Sequence, residues 1–203
     1  MAVENEYKFI SDRTDADHCL SLIDSFMKES GIDYSKSVKS SIDLYYDSEK
    51  MEITAKGCFI RKRTNPDGKC KLTVKRPIST GEVMSREEIE KSSDGSFQST
   101  QDFCNEFFPG IILGSEPVLV NEKERTVFAF NDSLGTKLSL DKCRYVDGTK
   151  TKDYLEMELE IVSDVIMKDF DKIGIVGFVT GELGFRTSTE SKYVRGLRWK
   201  GLL

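Results

Sequence analysis

Histidine is nearly missing from this chain: among 203 residues only His18 carries an imidazole. It stands among polar neighbours in an expected first helix and reads as a surface residue. Catalysis by a histidine base and histidine-rich metal sites are thereby set aside. The five cysteines (Cys19, Cys58, Cys70, Cys104 and Cys143) are odd in number, scattered, and nowhere arranged as a CxxC pair. That excludes a disulfide framework or zinc site and fits reduced thiols in a cytoplasmic protein. No stretch approaches the roughly 20 apolar residues that span a bilayer, and no apolar signal region opens the sequence. An excess of basic charge is also lacking: 30 Lys and Arg stand against 35 Asp and Glu, for a net charge of −5. Coating a nucleic acid is therefore not expected, although a local basic cluster could still bind a compact anion. Low-complexity linkers and internal repeats are absent, so 1–203 reads as one domain.

What the chain has is charge, at 32% of residues, set out in alternation. In the run Val3-Glu-Asn-Glu-Tyr-Lys-Phe9, residues Glu4, Glu6 and Lys8 share one face of a strand and Tyr7 and Phe9 the other. The same parity recurs along the sequence. Arg61 and Arg63 lie on one face, and Lys71, Thr73 and Lys75 oppose Leu72 and Val74. Arg86, Glu88 and Glu90 share a face, as do Lys123 and Arg125. Glu156, Glu158 and Glu160 oppose Leu155, Met157, Leu159 and Ile161. One such strand reads as the wet face of an ordinary sheet. Six of them, carrying Arg, Lys and Glu with little Ser, Thr, Asn or Gln, suggest charged faces converging in a wet interior.

The spacing predicts strands over Ser41–Tyr46, Gly57–Arg63, Lys69–Arg76, Met84–Lys91, Val118–Phe128, Lys137–Tyr145 and Tyr154–Val162, after the N-terminal one. Asn65-Pro-Asp-Gly68 marks a hairpin turn. Helices are expected over Thr14–Glu29, Thr100–Phe107, Ser163–Ile173 and Thr189–Trp199. Gly181-Glu-Leu-Gly184 reads as a loop before the last helix rather than a phosphate cradle. In the strand of Asp141, Lys142 shares the parity of Leu138 and Leu140 and is expected outside, with Arg144 a surface candidate too. The fold class is α+β: an eight-stranded antiparallel β-barrel with a polar interior and helices packed outside.

These motifs, taken in order, resemble the CYTH family, also called triphosphate tunnel metalloenzymes. The resemblance covers essentially the whole chain. It is carried by Glu4-x-Glu6-x-Lys8, Ile42-Asp-Leu-Tyr-Tyr-Asp47, Phe59-Ile-Arg-Lys-Arg63, Leu72-Thr-Val-Lys75, Arg86-x-Glu88-x-Glu90, Lys123-x-Arg125 and Leu155-Glu-Met-Glu158. It implies a tunnel open at both ends that binds a triphosphate among basic residues and Mg²⁺ or Mn²⁺ on acidic ones. By match to the family motifs, Lys8, Arg61, Arg63, Lys75, Arg86, Lys123 and Arg125 bind phosphate, and Glu4, Glu6, Glu156 and Glu158 hold the metal. Glu4, Glu6, Lys8 and Glu88 are the catalytic candidates. Lys192 resembles a lysine with which family members close the tunnel, the alternative being a solvated lysine on an exposed helix. Glu160 extends the parity beyond the family's acidic pair, and its role stays open.

The implied activity is a metal-dependent triphosphatase acting on inorganic tripolyphosphate or a nucleoside triphosphate. A class IV type adenylate cyclase shares the tunnel but breaks a different bond. A thiamine triphosphatase would want an aromatic platform, and the sole tryptophan, Trp199, falls in the last helix. A binding module for polyphosphate or nucleotide without turnover is the alternative of a different class. The expected partner is a small-molecule triphosphate, with neither nucleic acid nor membrane. The oligomeric state is left open, a homodimer included.

Overall fold

The computed structural model describes residues 2–79, 84–131, 135–161 and 174–203, with side chains for all of these except 2–5, 79, 84–86 and 161. The chain runs β1 (Ala2–Ser11), α1 (Ala16–Glu29), β2 (Tyr34–Tyr46), β3 (Phe59–Thr64), β4 (Cys70–Ser79), β5 (Met84–Ser93), α2 (Phe97–Phe107), β6 (Leu119–Phe130), β7 (Lys137–Asp147), β8 (Lys150–Ile161), α3 (Ile175–Gly177), β9 (Arg186–Thr187) and α4 (Lys192–Lys200). The strands are ordered β5-β4-β3-β2-β6-β7-β8-β1-β9, and β1 also pairs with β5. That last pairing, with Glu4 opposite Arg86 in register, joins the ends of the order into an eight-stranded ring. Every pairing is antiparallel, and β9 adds two residues beside Phe9 and Ile10.

Outward-facing positions make the cores. Phe128, Leu138, Leu140, Leu155, Met157 and Leu159 meet Cys19, Ile23 and Met27, which recur on one side of α1. Asp15 caps that helix by accepting from the His18 N–H at 3.1 Å. On the other side of the barrel Ile60, Leu72 and Val74 pack with Phe103 and Cys104 of α2. α2 begins at Phe97, three residues earlier than Thr100, because the Ser96 hydroxyl caps it by accepting from the Ser99 N–H at 3.1 Å. The Asn65–Gly68 turn forms as expected, with the Gly68 N–H donating to the Asn65 carbonyl at 2.9 Å.

β2 starts at Tyr34, well before Ser41. Residues 34–41 pair with β6 alone and are mostly exposed, so they show no apolar alternation to read. The helix expected over Ser163–Ile173 lies outside the described residues. Phe178–Glu182 forms one π-helical turn where a plain loop was expected. No helix among the described residues is long and apolar enough to cross a membrane.

One expectation is corrected: the barrel is not open at both ends. At one end the inward positions turn apolar (Tyr45, Phe59, Leu119, Cys143, Tyr145 and Tyr154), and Tyr193 and Leu197 of α4 pack among them. Tyr193 stacks on Tyr45 with ring centroids 5.0 Å apart, and the Tyr145 hydroxyl donates to the Lys192 carbonyl at 2.6 Å. Gly196 allows the approach, since a Cβ there would sit 2.3 Å from Leu119 Cδ2 and 3.0 Å from Tyr145 Cε1.

Candidate active site

Inside the ring, above the α4 plug, lies a cavity of about 460 Å³. Alternation along six strands delivers its walls: Glu6 and Lys8 from β1, Arg61 and Arg63 from β3, and Lys75 from β4. Glu88 and Glu90 come from β5, Lys123 and Arg125 from β6, and Glu158 and Glu160 from β8, with Lys192 contributed by α4. A depression of about 530 Å³ on the outer face of β2, β6, β7 and β8 is larger. Its arginine, Arg144, is already paired to Asp153, and it gathers no comparable set of cations.

Two arginines are held as forks. Arg63 donates from Nε and Nη2 to the two oxygens of Asp43, at 2.6 and 2.8 Å. Arg125 does the same to Asp141, at 2.6 Å for both bonds, and also reaches Glu158. Both aspartates are fully buried. Burial alone would raise the Asp43 carboxyl, but Arg61, Lys123 and Arg63 hold it well below the usual carboxylate range. Asp141 is likewise kept low against its burial, by Arg125, Lys192 and Lys123. Arg61 is held more loosely, on Thr73 at 3.0 Å and Glu88 at 3.5 Å. Its Nε is a buried donor without an acceptor among the described residues.

The lysines differ among themselves. Lys75 pairs with Glu88 at 2.6 Å. Lys8 lies 2.7 Å from Glu6 and 3.8 Å from Glu158. Lys192 touches Glu156, Glu158 at 2.6 Å and Asp141 at 2.9 Å. Burial would lower its ammonium, yet those three carboxylates raise it well above the ordinary lysine value. Lys123 is buried, at 6% exposure, with no hydrogen bond or ion pair among the described residues. Burial, then Arg125, pushes its ammonium down to about 7, against the pull of Asp141 and Asp43.

All the expected site residues with described side chains line the cavity except Glu156, which is fully buried against Lys192 and Arg195. Lys192 points inward rather than into solvent. Glu160 faces the mouth and pairs with Lys137 at 3.4 Å. The side chains of Glu4 and Arg86 lie outside the described residues. Lys142 and Arg144 are exposed on the outer face, as expected. Sequence reasoning missed Asp43, Asp141 and Arg195, whose Nη1 donates to Glu156 at 2.7 Å. Parity offered a signal for Asp141, because a strand with Leu138, Leu140 and Lys142 outside must turn Asp141 inside. Arg195 follows Lys192 by three positions and so shares its helix face.

The donors suit a hard divalent cation in kind, since Glu6, Glu156 and Glu158 are carboxylates on the inner faces of two paired strands. A cation already stands between two of them: the Lys8 ammonium bridges Glu6 and Glu158. Among the described residues, no three acidic, cysteine or histidine side chains gather closely enough to hold an ion as they stand.

No protein-family profile matches this chain, and no curated protein matches it. Solved structures do. One is a proposed adenylyl cyclase from Hippeastrum, described with a dominant triphosphatase activity. It superposes with a TM-score of 0.61 over 98% of this chain and 97% of its own, at 16% identity. A candidate adenylate cyclase from Vibrio parahaemolyticus gives 0.57 over 95% and 97%, also at 16% identity. The capping-enzyme triphosphatase of Mimivirus gives 0.54 over 87% and 88%, at 12% identity. The fold is thus the triphosphate tunnel fold of CYTH-type proteins.

Proposed function

We propose that this protein hydrolyses a terminal phosphoanhydride of a triphosphate, either inorganic tripolyphosphate or a nucleoside triphosphate, with Mg²⁺ or Mn²⁺ as cofactor. The carrying observation is the cavity wall, where Lys8, Arg61, Arg63, Lys75, Lys123 and Arg125 from four strands surround one chamber with a single closed end. A multiply charged anion leaves water only for several fixed cations, and arginine forks grip two phosphate oxygens at once. Among the described residues, Lys123 and the Nε of Arg61 are donors without acceptors, which favours an anionic ligand.

Phosphoryl transfer needs positioning and charge neutralisation more than covalent help, so the absence of a histidine base is no obstacle. Arg63 and Arg125, fixed by buried aspartates, would align the chain of phosphates. Glu88, between Arg61 and Lys75, would orient those two cations. Glu6, Glu156 and Glu158, with Glu4, would hold the divalent cation. Such an ion, when bound, neutralises developing charge and lowers the pKa of water.

The test is product analysis with tripolyphosphate, ATP, GTP and thiamine triphosphate, each with Mg²⁺ or Mn²⁺. Orthophosphate release, with tripolyphosphate cleaved at least as well as ATP, is expected. Cyclic AMP and pyrophosphate from ATP, with tripolyphosphate untouched, would instead make the protein a cyclase. Binding of tripolyphosphate without any product would make it a sensor.

A further inference from the structure

The carboxylates suited to a metal are occupied by the chain's own ammonium groups. Glu158 shows this most fully: its Oε1 lies 2.6 Å from the Lys192 nitrogen and 3.8 Å from that of Lys8, while Oε2 accepts from Arg125. Glu6 accepts Lys8 at 2.7 Å, and Glu156 holds both Lys192 and Arg195. A divalent ion placed between Glu6 and Glu158 would meet the Lys8 ammonium in the same space, and like charges at contact distance repel strongly in a buried site. The ion and the ammonium therefore exclude each other.

The two kinds of cation in this chamber differ in how easily they let go. Arg63 and Arg125 are each held by two parallel bonds to a fully buried aspartate. Lys8 and Lys192 are point charges on flexible stems, and both line the cavity where phosphate oxygens would enter. We propose that Lys8 and Lys192 are exchangeable counter-cations. In the free protein they neutralise Glu6, Glu156 and Glu158, and a divalent cation gains these carboxylates only when an entering triphosphate draws the ammonium groups away. Metal and triphosphate then bind with positive coupling, each strengthening the other. Between turnovers the chamber stays close to neutral instead of collecting unpaired charge.

This inference rests on the reading of the cavity as a triphosphate and cation site, and the experiment separates the two. Mn²⁺ binding is followed by the loss of the free-ion electron paramagnetic resonance signal, without any anion. Wild-type protein is expected to leave Mn²⁺ largely free. Lys8→Met and Lys192→Met, each checked for folding by circular dichroism, should bind Mn²⁺ about tenfold more tightly or better. Lys8→Arg, which keeps a cation there, should not. Tight Mn²⁺ binding by the wild-type protein alone overturns the proposal and needs no variant. Failure of both folded Met variants to gain Mn²⁺ affinity overturns it too. The site reading is judged separately, by calorimetric titration of wild-type protein with tripolyphosphate, once with EDTA and once with Mn²⁺: no binding in either would remove the triphosphate site itself.

Discussion

Strand β7 takes part in two arginine–aspartate forks, one on each face of the sheet. Inside, its Asp141 receives Arg125 through two bonds of 2.6 Å. Outside, its Arg144 donates to Asp153 at 2.6 and 3.1 Å. The local chemistry is nearly the same, but Asp141 is fully buried whereas Asp153 is 45% exposed at its side chain. Water can replace either partner of the outer fork, so that pair contributes little to folding. It cannot reach the aspartate of the inner one, so Asp141 depends on its cations there. Position relative to solvent, rather than residue type, decides which fork matters.

Breaking the inner fork should have the largest effect. Asp141→Ala leaves Arg125 with Glu158 alone and takes a carboxylate from Lys192, which should cost about 3–5 kcal/mol of stability. Urea unfolding followed by circular dichroism measures it. The native carboxyl is held low, so its contribution is complete above the ordinary aspartate range and is lost as the pH falls below that range. The variant should therefore lose less stability on acidification than the wild-type protein does.

Lys123→Met sharpens the contrast, because it removes a buried cation that has no fork. Tripolyphosphate binding should weaken by about 1.5–3 kcal/mol, as for a charge-assisted hydrogen bond, while the free protein becomes more stable at neutral pH. The sign follows from its ammonium, pushed down to about 7 from an ordinary 10.5. Between those values the unfolded chain binds the extra proton, so wild-type stability should gain from this group as pH rises from 7 towards 10. Tripolyphosphate affinity should fall as pH climbs through 7. Parallel calorimetry and urea titrations across that range check both, and equal pH slopes in the wild-type and variant proteins would exonerate Lys123.

Gly196→Ala reaches the inner network indirectly. The added methyl meets Leu119 and Tyr145 and should displace α4, at about 1–3 kcal/mol. Loss of the Lys192 contact with Asp141 should follow, seen as weaker tripolyphosphate binding. Arg144→Ala, on the outer face, should leave both the unfolding midpoint and the tripolyphosphate affinity unchanged within error.

Much of this was legible in the sequence because a strand has a period of two. Once Leu72, Val74, Leu155, Met157 and Leu159 are taken as core, Lys75, Thr73, Glu156 and Glu158 must face the other way. The same parity, read strand by strand, places the charged inner faces of β1, β3, β4, β5, β6 and β8. The polar start of β2 was not legible, since Ser35 to Ser40 are exposed on both faces and carry no periodic signal. Nor was the apolar end of the chamber. Tyr45, Phe59, Leu119 and Tyr145 share the parity of the charged residues, and parity says nothing about height along a barrel.

Alternation in the chain is enough to say which charged side chains of the strands face inward, because backbone geometry ties position to face. Only the tertiary structure decided who neutralises whom. Asp43 with Arg63, Asp141 with Arg125, and Glu158 with Lys8 and Lys192 depend on strand register and on where α4 enters. Those are set by packing between segments far apart in the chain: Lys192 meets Asp141 only because Gly196 lets its helix settle against Leu119 and Tyr145.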